Sequence, residues 1–543
     1  MMFGFLSFFF TLFSYYILRK DTKPSLYSII FTTKSDISTY LCNHHETPIS
    51  MKKYAFILII LLLSSTLKGY TNPKHEVRAA WITTAYRLDW PQTLSVSPAT
   101  RKKQQKELIQ LLDILKAANF NTVIFQVRGR GDANYRSKWE PASIALTGKT
   151  NVDPGYDALQ FAIEESHKRG MECHAWLVAI PSGSIKTHQQ LGKASPVKKE
   201  PKTFIKYKGG WYINPASPTA KDYLGRLVED ITSNYDIDGI HFDYLRYPDG
   251  AQKSFPDQKE FKRLGNGRSL DQWRRDNITE ILSHSYHLIK SIKPWVKVSS
   301  CPIGKHSDTN RYSARGWNAY ETVYQDVFKW LELGIQDQIY PMMYFRGNNY
   351  YPFALDWAEQ SNGRQVISGL GIYFLDPREG NWSSEEIQRQ LNFVRQNNLA
   401  GHAFFRAEFL VKDTQGVYTS LKDIHYKYPA LVPPMPWLDQ TIPQKPQSLT
   451  LKITDDSVLL NWEINSQESE EVSYVIYKSE NYPVDTTKPE NILDIYVKGA
   501  QYIYTPANPM LKYSYFAVST IDRFGNESQA IQLSPTLDIS TQK

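Results

Sequence analysis

The sequence predicts an α/β fold for this chain of 543 residues: a (β/α)8 TIM barrel followed by an all-β sandwich. Between residues 75 and 427, short β-branched or aromatic runs alternate with amphipathic segments, which is typical of successive βα units. No glycine-rich dinucleotide-binding turn follows the first run, so a closed barrel is favoured over an open doubly wound sheet. A proline-rich segment then separates this region from a stretch with an all-β pattern.

The predicted barrel strands are short apolar runs with period-two alternation, bounded by turn residues. They are Val77–Thr83, Thr122–Arg128, Met171–Leu177, Gly239–Leu245, Val296–Cys301, Gln338–Phe345, Val366–Tyr373 and Gly401–Arg406. Helical patterns lie near 101–117, 157–169, 219–234, 271–292, 320–333, 353–361, 383–397 and 417–425. In the first helical pattern, Leu108, Leu111, Leu112 and Leu115 have the i, i+3/i+4 spacing of a helix that packs one face on a sheet.

Residues 428–444 are predicted to be a stiff Pro-rich linker, and residues 445–537 a second domain. Ser457–Trp462 has the pattern of a strand with a buried Trp, and further short strands follow. This segment resembles a fibronectin type III domain. We expect an accessory module whose removal after Gln440 leaves a folded, active barrel. The sequence leaves open whether the module docks on the barrel, binds a polymer or acts as a spacer.

The N-terminal region carries an export pattern. Residues 51–70 contain a basic start and an apolar run of secretory type, which indicates a signal peptide or an uncleaved anchor. Met51 is a candidate start codon, so residues 1–50 are interpreted as a miscalled extension; the alternative is an N-terminal membrane anchor. We therefore expect a secreted, periplasmic or cell-envelope protein, tethered to the membrane if the apolar segment is retained.

Composition and charge indicate which classes of molecule this protein is expected to bind. Aromatic residues make up 13% of the chain, including 35 Tyr and 13 Trp, which fits either carbohydrate stacking or a large aromatic core. The formal net charge of +8 falls to +4 once residues 1–70, with 7 Lys and Arg and 3 Asp and Glu, are set aside. This near balance does not favour nucleic acid. Cys173 and Cys301 are predicted to lie two barrel strands apart as buried thiols, and no metal or cofactor is expected.

Candidate chemistry lies at the carboxyl ends of the strands, where (β/α)8 barrels place their active sites. On the fourth predicted strand, Gly239, His241 and Asp243 share one face. The opposite face, which includes Tyr244, is expected to pack on the helices. Asp243 then points into the barrel mouth, with His241 one layer below. A carboxylate in this place is either catalytic or paired with Arg246 in a structural salt bridge.

Further candidates follow the other strands. The carboxylates that could partner Asp243 are Asp132, Glu140, Asp376 and Glu408. Asp132 lies on a glycine-rich loop, where a turn-capping role is an equal alternative. Candidates for substrate contact are Arg128, Glu140, His174, Trp176, Trp211, Tyr212, His241, Arg246, Tyr340, Tyr344 and Tyr373. Aromatic faces and polar side chains suit a hydroxyl-rich ligand, although a core histidine is the more common explanation of His174. Residues 180–218, which contain Trp211 and Tyr212, are a candidate lid.

The motifs along residues 75–438 resemble the bacterial glycosyl-hydrolase-like family ten. They are Glu76–Trp81, Gln126–Arg128, Gly131–Ala133, His174–Trp176, Tyr212–Pro215, Asp238–Tyr244 and Trp273–Asn277. The family is similar to the α-amylase-like hydrolases, and this resemblance implies that Asp243 is a nucleophile. Those enzymes place the general acid at the end of strand five, where Ser299–Pro302 has no carboxylate, so the acid must come from elsewhere. The implied substrate is a bacterial cell-wall glycan, including peptidoglycan strands that lack their peptides.

We therefore predict an exported glycoside hydrolase with paired carboxylates, acting on a polysaccharide or oligosaccharide. The partner of Asp243 is expected to be Asp132 first, then Glu408, Asp376 or Glu140. A non-catalytic glycan-binding barrel is the alternative, because the fifth strand lacks its carboxylate. A metal-dependent deacetylase would need His and Asp ligands, and His174 with His241 do not meet that requirement. The oligomeric state is left open.

Overall fold

The computed structural model describes residues 72–312, 315–463, 472–508, 510 and 513–533. The predicted extension at 1–50 and the predicted signal peptide or anchor at 51–70 lie outside the described residues. None of the helices in the described ranges is both long and apolar enough to cross a membrane.

Eight parallel strands close into a barrel in the order β1-β2-β3-β7-β8-β9-β10-β11. Their bounds are β1 Val77–Ile82, β2 Thr122–Arg128, β3 Glu172–Val178, β7 Gly239–Asp243, β8 Lys297–Ser300, β9 Gln338–Ile339, β10 Gln365–Leu370 and β11 Gly401–Phe404. Between β3 and β7, the strands β4 Pro181–Ser184, β5 Phe204–Tyr207 and β6 Gly210–Ile213 form a small antiparallel sheet in the order β4-β6-β5. The predicted TIM barrel is confirmed.

The α-helices α1 to α15 follow in chain order. They span Pro98–Ala117, Ile144–Thr147, Ala158–His167, Ile185–Leu191, Pro196–Lys199, Ala220–Asn234, Ala251–Ser254, Gln258–Leu264, Leu270–Ile292, Ala319–Thr322, Val327–Glu332, Tyr351–Glu359, Ser384–Gln396, Ala407–Val411 and Val417–Ser420. The start of α1 shows how local sequence sets these bounds. Ser97 and Thr100 form a reciprocal capping box, and Pro98 occupies the first turn, where its missing N–H costs nothing.

Two predicted strands end early for identifiable reasons. The sixth barrel strand stops at Ile339, because Pro341 has no N–H to donate to the ladder; only an isolated bridge continues at Met342. The fourth strand stops at Asp243, because Tyr244 adopts a left-handed conformation with φ of 49°. That turn takes Tyr244 away from the helix-facing row in which the sequence placed it, and its side chain is 42% exposed.

The barrel has two apolar layers. Outward-facing residues such as Val123, Phe125 and Val127 pack against the helices. Inward-facing residues, including Trp81 and Trp176, fill the barrel interior. The period-two alternation expected of the barrel strands is therefore seen on β2. Cys173 of β3 and Cys301 after β8 are buried free thiols, as expected.

The C-terminal module consists of two antiparallel sheets, in the orders β12-β13-β16 and β15-β14-β17-β18. The strands are β12 Leu449–Ile453, β13 Val458–Trp462, β14 Ser473–Ser479, β15 Ile492–Val497, β16 Gln501–Tyr504, β17 Tyr515–Ile521 and β18 Ile531–Gln532. Trp462, Tyr474 and Phe516 belong to the core between the sheets. This confirms an all-β region, while the likeness to fibronectin type III stays a prediction.

The module packs against the end of the barrel at which the strands begin. Arg523 donates to Asp236 at 2.8 Å and to Asp238 at 3.2 Å, both just before β7. The proline-rich segment lies in the same junction: Leu431 belongs to an apolar cluster of the module, and Val432 to the cluster inside the barrel. The segment is thus packed on both sides, and it is not a free spacer.

Candidate active site at the barrel mouth

Asp243 is the last residue of β7 and only 6% of it is exposed. Its Oδ1 accepts a hydrogen bond from the Tyr244 N–H at 2.7 Å, and its Oδ2 accepts one from Trp176 Nε1 at 3.2 Å. Since one donor is backbone and the other belongs to a side chain that is itself buried in the interior layer, the carboxyl group is held in one orientation at the end of the strand.

Opposing effects act on the proton affinity of Asp243. Burial raises the pKa of its carboxyl group above the ordinary 3.8, while the positive charge of Arg246 lowers the pKa. Hydrogen bonding from the Cys301 thiol, the Tyr244 N–H and the Trp176 indole also lowers it, and the net direction is upward. A buried carboxyl group with a raised pKa at the carboxyl end of a barrel strand is a candidate functional group.

His241 lies one layer below Asp243, as predicted, and has no exposed surface. Its Nε2 accepts from Trp81 Nε1 at 3.2 Å, and its Nδ1 lies 2.9 Å from Ser299 Oγ. Burial lowers the pKa of His241 well below 6.5, so the ring is neutral and Nδ1 donates to Ser299. His241 therefore supports the floor of the site, and its contact with substrate stays a prediction.

Arg246 is 5% exposed and lies between two exposed aromatic rings. Its guanidinium carbon is 4.5 Å from the centre of the Tyr244 ring and 5.6 Å from that of Trp317, which is 46% exposed. The guanidinium Nη1 has no hydrogen-bond partner. In the described ranges, the predicted salt bridge with Asp243 is absent, and Arg246 acts on Asp243 only through its charge.

A second aromatic group borders the site on the side of β9 to β11. The Tyr344 ring stacks on Phe405 with centroids 5.6 Å apart and meets Tyr373 edge-on at 5.8 Å. Burial, followed by the nearby charges of Cys301 and Asp243, raises the pKa of Tyr344, which indicates that Tyr344 lies near the carboxylate. Both predicted tyrosines, Tyr344 and Tyr373, are thus brought to the mouth.

Arg128 and Glu140 belong to the structure of the barrel rim. The Arg128 guanidinium donates to both oxygens of Glu140 at 2.8 Å, and neither side chain is exposed. Arg128 also donates to the carbonyls of Ala179 and Pro181, while Tyr223 donates to Glu140 at 2.9 Å. Both side chains are fully paired and enclosed, so they order the rim, while substrate contact by Arg128 and Glu140 and a catalytic role of Glu140 stay predictions.

Two other predicted carboxylates are neutralised by cations on the rim. Glu408 pairs with Arg406 at 2.5 Å and also with Lys412. Asp376 receives two hydrogen bonds from the guanidinium of Arg378, at 2.7 and 3.0 Å. Both carboxylates are thus paired with cations in the structure, and the catalytic roles of Asp376 and Glu408 stay predictions.

Asp132 differs from these three carboxylates. It is half-buried on the loop after β2, where Oδ1 accepts from the Arg130 N–H at 3.0 Å. The loop touches the segment after β3, because a Cβ on Gly131 would meet the Ser182 carbonyl oxygen at 2.9 Å. Asp132 forms no ion pair among the described residues and remains the candidate partner for Asp243.

Three further predicted contact residues lie inside the barrel. Trp176 is 3% exposed and donates to Asp243, so it positions the carboxylate and offers no stacking face. His174 and Tyr340 have no exposed surface. His174 lies 2.9 Å from Glu172 near the start of β3, and Tyr340 donates to Gln338. Inward alternation was predicted correctly for all three, but the depth of each along its strand was not.

The predicted lid is the small sheet of β4, β5 and β6, which includes Trp211 and Tyr212. Both side chains are partly exposed, and the Lys206 ammonium lies 5.1 Å from the Trp211 ring. The turn between β5 and β6 meets the loop after β7, where Lys208 donates to the Asp249 carbonyl at 3.1 Å. The sheet therefore borders the same loop that carries Arg246.

Tyr244, Cys301, Trp317 and Phe405 are site residues that sequence reasoning missed. The period-two pattern assigned Tyr244 to the wrong face, because it does not foresee a left-handed residue after the strand. Trp317 lies far along the loop after β8. An aromatic residue within a long loop at the active-site end of a barrel is the signal that would have found it.

Comparisons with known proteins agree on the family. The model of the family Glycosyl hydrolase-like 10 matches residues 76–374. The chain is 33% identical over 511 residues to "Glycosyl hydrolase YngK" of Bacillus subtilis (strain 168), covering 89% of this chain and 98% of that protein. It is 31% identical over 368 residues to "Glycosyl hydrolase DigH" of Escherichia coli (strain K12), covering 62% of this chain and 84% of that protein.

Among solved structures, the chain is similar to the PgaB (BpsB) glycoside hydrolase domain from Bordetella bronchiseptica. The TM-score is 0.46 at 13% identity, over 65% of this chain and 99% of that one. The catalytic domain of a β-amylase from Paenibacillus polymyxa gives a TM-score of 0.43 at 9% identity, over 65% and 99% of the two chains. The family match and the identity to full-length relatives carry the assignment: this chain belongs to the family Glycosyl hydrolase-like 10.

Proposed function

We propose that this protein hydrolyses O-glycosidic bonds in a bacterial cell-wall glycan outside the cytoplasm, with Asp243 as the essential carboxyl group. The observation that carries the proposal is the setting of Asp243. It is a buried carboxyl group held by two N–H donors at the mouth of a barrel whose rim bears exposed aromatic rings. Membership of a glycosyl hydrolase-like family supports the reaction type.

The reaction asks a carboxylate to face a sugar carbon on which positive charge develops. Trp176 and Tyr244 orient the carboxyl group of Asp243 before substrate arrives, and such preorganisation lowers the cost of reaching the transition state. The ionised group then either attacks the anomeric carbon or stabilises the oxocarbenium-like transition state. Asp132 is the proposed proton carrier, because the other three candidate carboxylates are occupied by arginine or lysine.

The cell-wall substrate and the export route rest on separate support. The pattern at residues 51–70 is of secretory type, and the family resemblance implies a wall glycan such as peptide-free peptidoglycan strands. The rim offers rings for stacking in Tyr244, Trp317 and Trp211. These features fit a long glycan lying across the mouth.

The Asp243→Asn variant tests the proposal. Asn keeps the shape of the side chain but cannot act as nucleophile or exchange a proton, so we expect kcat/KM to fall about 10²- to 10⁴-fold. The melting temperature should fall by no more than a few degrees, because the amide nitrogen of Asn cannot accept one of the two N–H hydrogen bonds that Asp243 accepts. Release of products from peptide-free peptidoglycan strands, followed by mass spectrometry, measures the rate.

The matched control is Asp423→Asn, which removes a carboxylate from an exposed position outside the site. It should keep full activity. Near-normal turnover by a folded Asp243→Asn chain would remove Asp243 from the mechanism.

A non-catalytic glycan-binding role is the second candidate. The observation in its favour is that ion pairs occupy three of the four candidate partners of Asp243. Binding of glycan strands with the reducing ends unchanged after prolonged incubation would select this role over hydrolysis.

A further inference from the structure

Arg246 is a buried cation whose hydrogen bonding is incomplete. It is 5% exposed, its Nη1 has no partner, and the described carboxylates form no ion pair with it. Two other buried arginines, Arg128 and Arg274, each engage a carboxylate through two nitrogens, and Arg78 engages Glu76 through its Nε. Burying a charge without a partner is costly, so a cation left in this state at a cleft indicates a ligand that completes it.

The nearest carboxylate does not fill this role. Both oxygens of Asp243 already accept hydrogen bonds, from Tyr244 and from Trp176. Arg246 changes the proton affinity of Asp243 through its charge but makes no bond to it. The hydrogen-bonding capacity of the buried Nη1 is therefore not used by Asp243.

The surroundings of Arg246 have the form of a sugar subsite. Tyr244 and Trp317 flank the guanidinium, and both rings are more than two-fifths exposed. An exposed ring binds the apolar face of a pyranose, while a charged donor beside it binds a ring substituent. Tyr244 directly follows Asp243, so a sugar on these rings lies next to the reacting carboxyl group.

The charge of the neighbouring loop favours an anion over a neutral sugar. Residues 181–218 contain 7 Lys, 1 Glu and no Arg or Asp. Lys206 and Lys208 are exposed, and Lys208 donates to the Asp249 carbonyl on the loop that carries Arg246. Like-signed charges on the approach to a cleft attract a ligand of opposite charge.

We propose that Arg246 is a specificity-determining residue that binds a carboxylate carried by the sugar stacked on Tyr244 and Trp317. A carboxylate fits because its two oxygens match the planar fork of a guanidinium. This inference rests on the proposed function and deepens it: the substrate of the site is a glycan with acidic substituents, and its neutral counterpart binds less well.

The test compares ligands that differ in the lactyl substituent and in its charge. Peptide-free peptidoglycan strands carry a free lactyl carboxylate, methyl esterification of the same strands removes the charge, and chitin oligosaccharide lacks the substituent. Binding is measured by titration calorimetry with the full chain carrying Asp243→Asn, which prevents turnover. We expect the acid strands to bind about 10- to 100-fold more tightly than the ester strands, since one charged hydrogen bond is at stake.

When Arg246→Gln is added to the Asp243→Asn chain, the ratio of the affinities for acid and ester strands should come close to one. Arg246→Lys, which keeps the charge but loses the fork, should give an intermediate ratio and replaces Arg246→Gln if that chain does not fold. Lys102→Gln, which removes the same unit charge from the exposed surface of α1, should keep the full ratio. Equal binding of acid and ester strands, or an unchanged ratio in the Arg246 variants, overturns the inference.

Turnover by the chain without substitutions separates the two proposals. Cleavage of acid and ester strands at equal rates supports hydrolysis and overturns the carboxylate subsite. Preference for the acid strands in binding, with no cleavage of either, supports the subsite and overturns hydrolysis. Absence of binding to all three ligands overturns the subsite and the cell-wall substrate together.

Discussion

At the scale of single residues, the charge of Arg246 acts on Asp243 although the described side chains form no ion pair or hydrogen bond with each other. Burial alone would hold Asp243 protonated over a wider pH range, and the charge of Arg246 opposes this effect. In the described part of the chain, Trp176 and Tyr244 each donate to one oxygen of Asp243, while the buried Nη1 of Arg246 has no hydrogen-bond partner. In the two proposals, the carboxyl group of Asp243 takes part in the reaction and the guanidinium of Arg246 binds the substrate.

This pairing predicts the acid limb of the pH profile. If ionised Asp243 is the reacting form, kcat/KM falls as the pH drops through its pKa, which lies above the ordinary 3.8. Arg246→Gln removes the charge that lowers this pKa, so the limb should move to higher pH. The quantity compared is the pH midpoint of the acid limb, so a lower overall rate in the variant does not affect the comparison.

Lys102→Gln serves as the control for a general change of charge and should leave the limb in place. A limb that stays fixed when Arg246 is replaced would mean that another group controls the acid side of the profile.

At the scale of elements, the loops at the active-site end of the barrel are held together by hydrogen bonds and a buried ion pair. The Arg128–Glu140 pair ties the loop after β2 to the carbonyls that follow β3, and Tyr223 of α6 joins from the helix layer. The loop carrying Asp132 depends on this pair, since Gly131 lies against Ser182. A buried pair of this type orders the rim without contacting substrate.

We expect Glu140→Gln to destabilise the fold by about 3–5 kcal/mol, because it leaves Arg128 buried without its counterion. Urea unfolding followed by circular dichroism measures the change. The double variant Arg128→Met/Glu140→Leu removes both charges and should recover much of the lost stability.

If Glu140→Gln unfolds at the same urea concentration as the unchanged chain, Glu140 has no structural role. Its assignment to substrate binding would then be favoured.

At the scale of the whole molecule, the C-terminal module closes the barrel end opposite the active site. Lys74 pairs with Glu527 at 2.6 Å, and Lys116 with Asp494 at 2.8 Å. Arg523 reaches the residues before β7, and Gln365 of β10 donates to the carbonyls of Pro433 and Pro434. Contacts at this end bear on stability, as is usual for the amino-terminal face of such barrels.

We expect truncation after Gln440 to lower the melting temperature by several degrees, since it exposes the apolar and charged groups that the module covers. The full chain should unfold in one transition followed by both circular dichroism and tryptophan fluorescence. Activity below the new melting temperature should persist, because Asp243 lies at the other end of its strand.

Two point variants check the same interface without truncation. Arg523→Gln should lower the melting temperature, whereas Lys488→Gln, at an exposed position of the module, should not. If the truncated chain has the same melting temperature as the full chain, the module does not stabilise the barrel.

Much of the fold follows from local patterns. Period-two runs located all barrel strands, because alternation along a strand depends on neighbours in sequence. The same patterns correctly turned Asp243 inward and placed His241 below it. They failed where a single backbone torsion or a missing N–H ended a strand, as at Tyr244 and Pro341.

The sequence by itself determined the barrel, the all-β region and the inward-facing carboxylate on the fourth strand. Only the tertiary structure decided which of the candidate charges are paired: Glu140, Asp376 and Glu408 form ion pairs, while the Nη1 of Arg246, near Tyr244 and Trp317, has no hydrogen-bond partner among the described residues. The physical reason is that the two kinds of feature depend on interactions over different separations along the chain. Alternation is set by bonds along the chain, but pairing and depth are set by loops that meet across the barrel mouth after distant segments have packed.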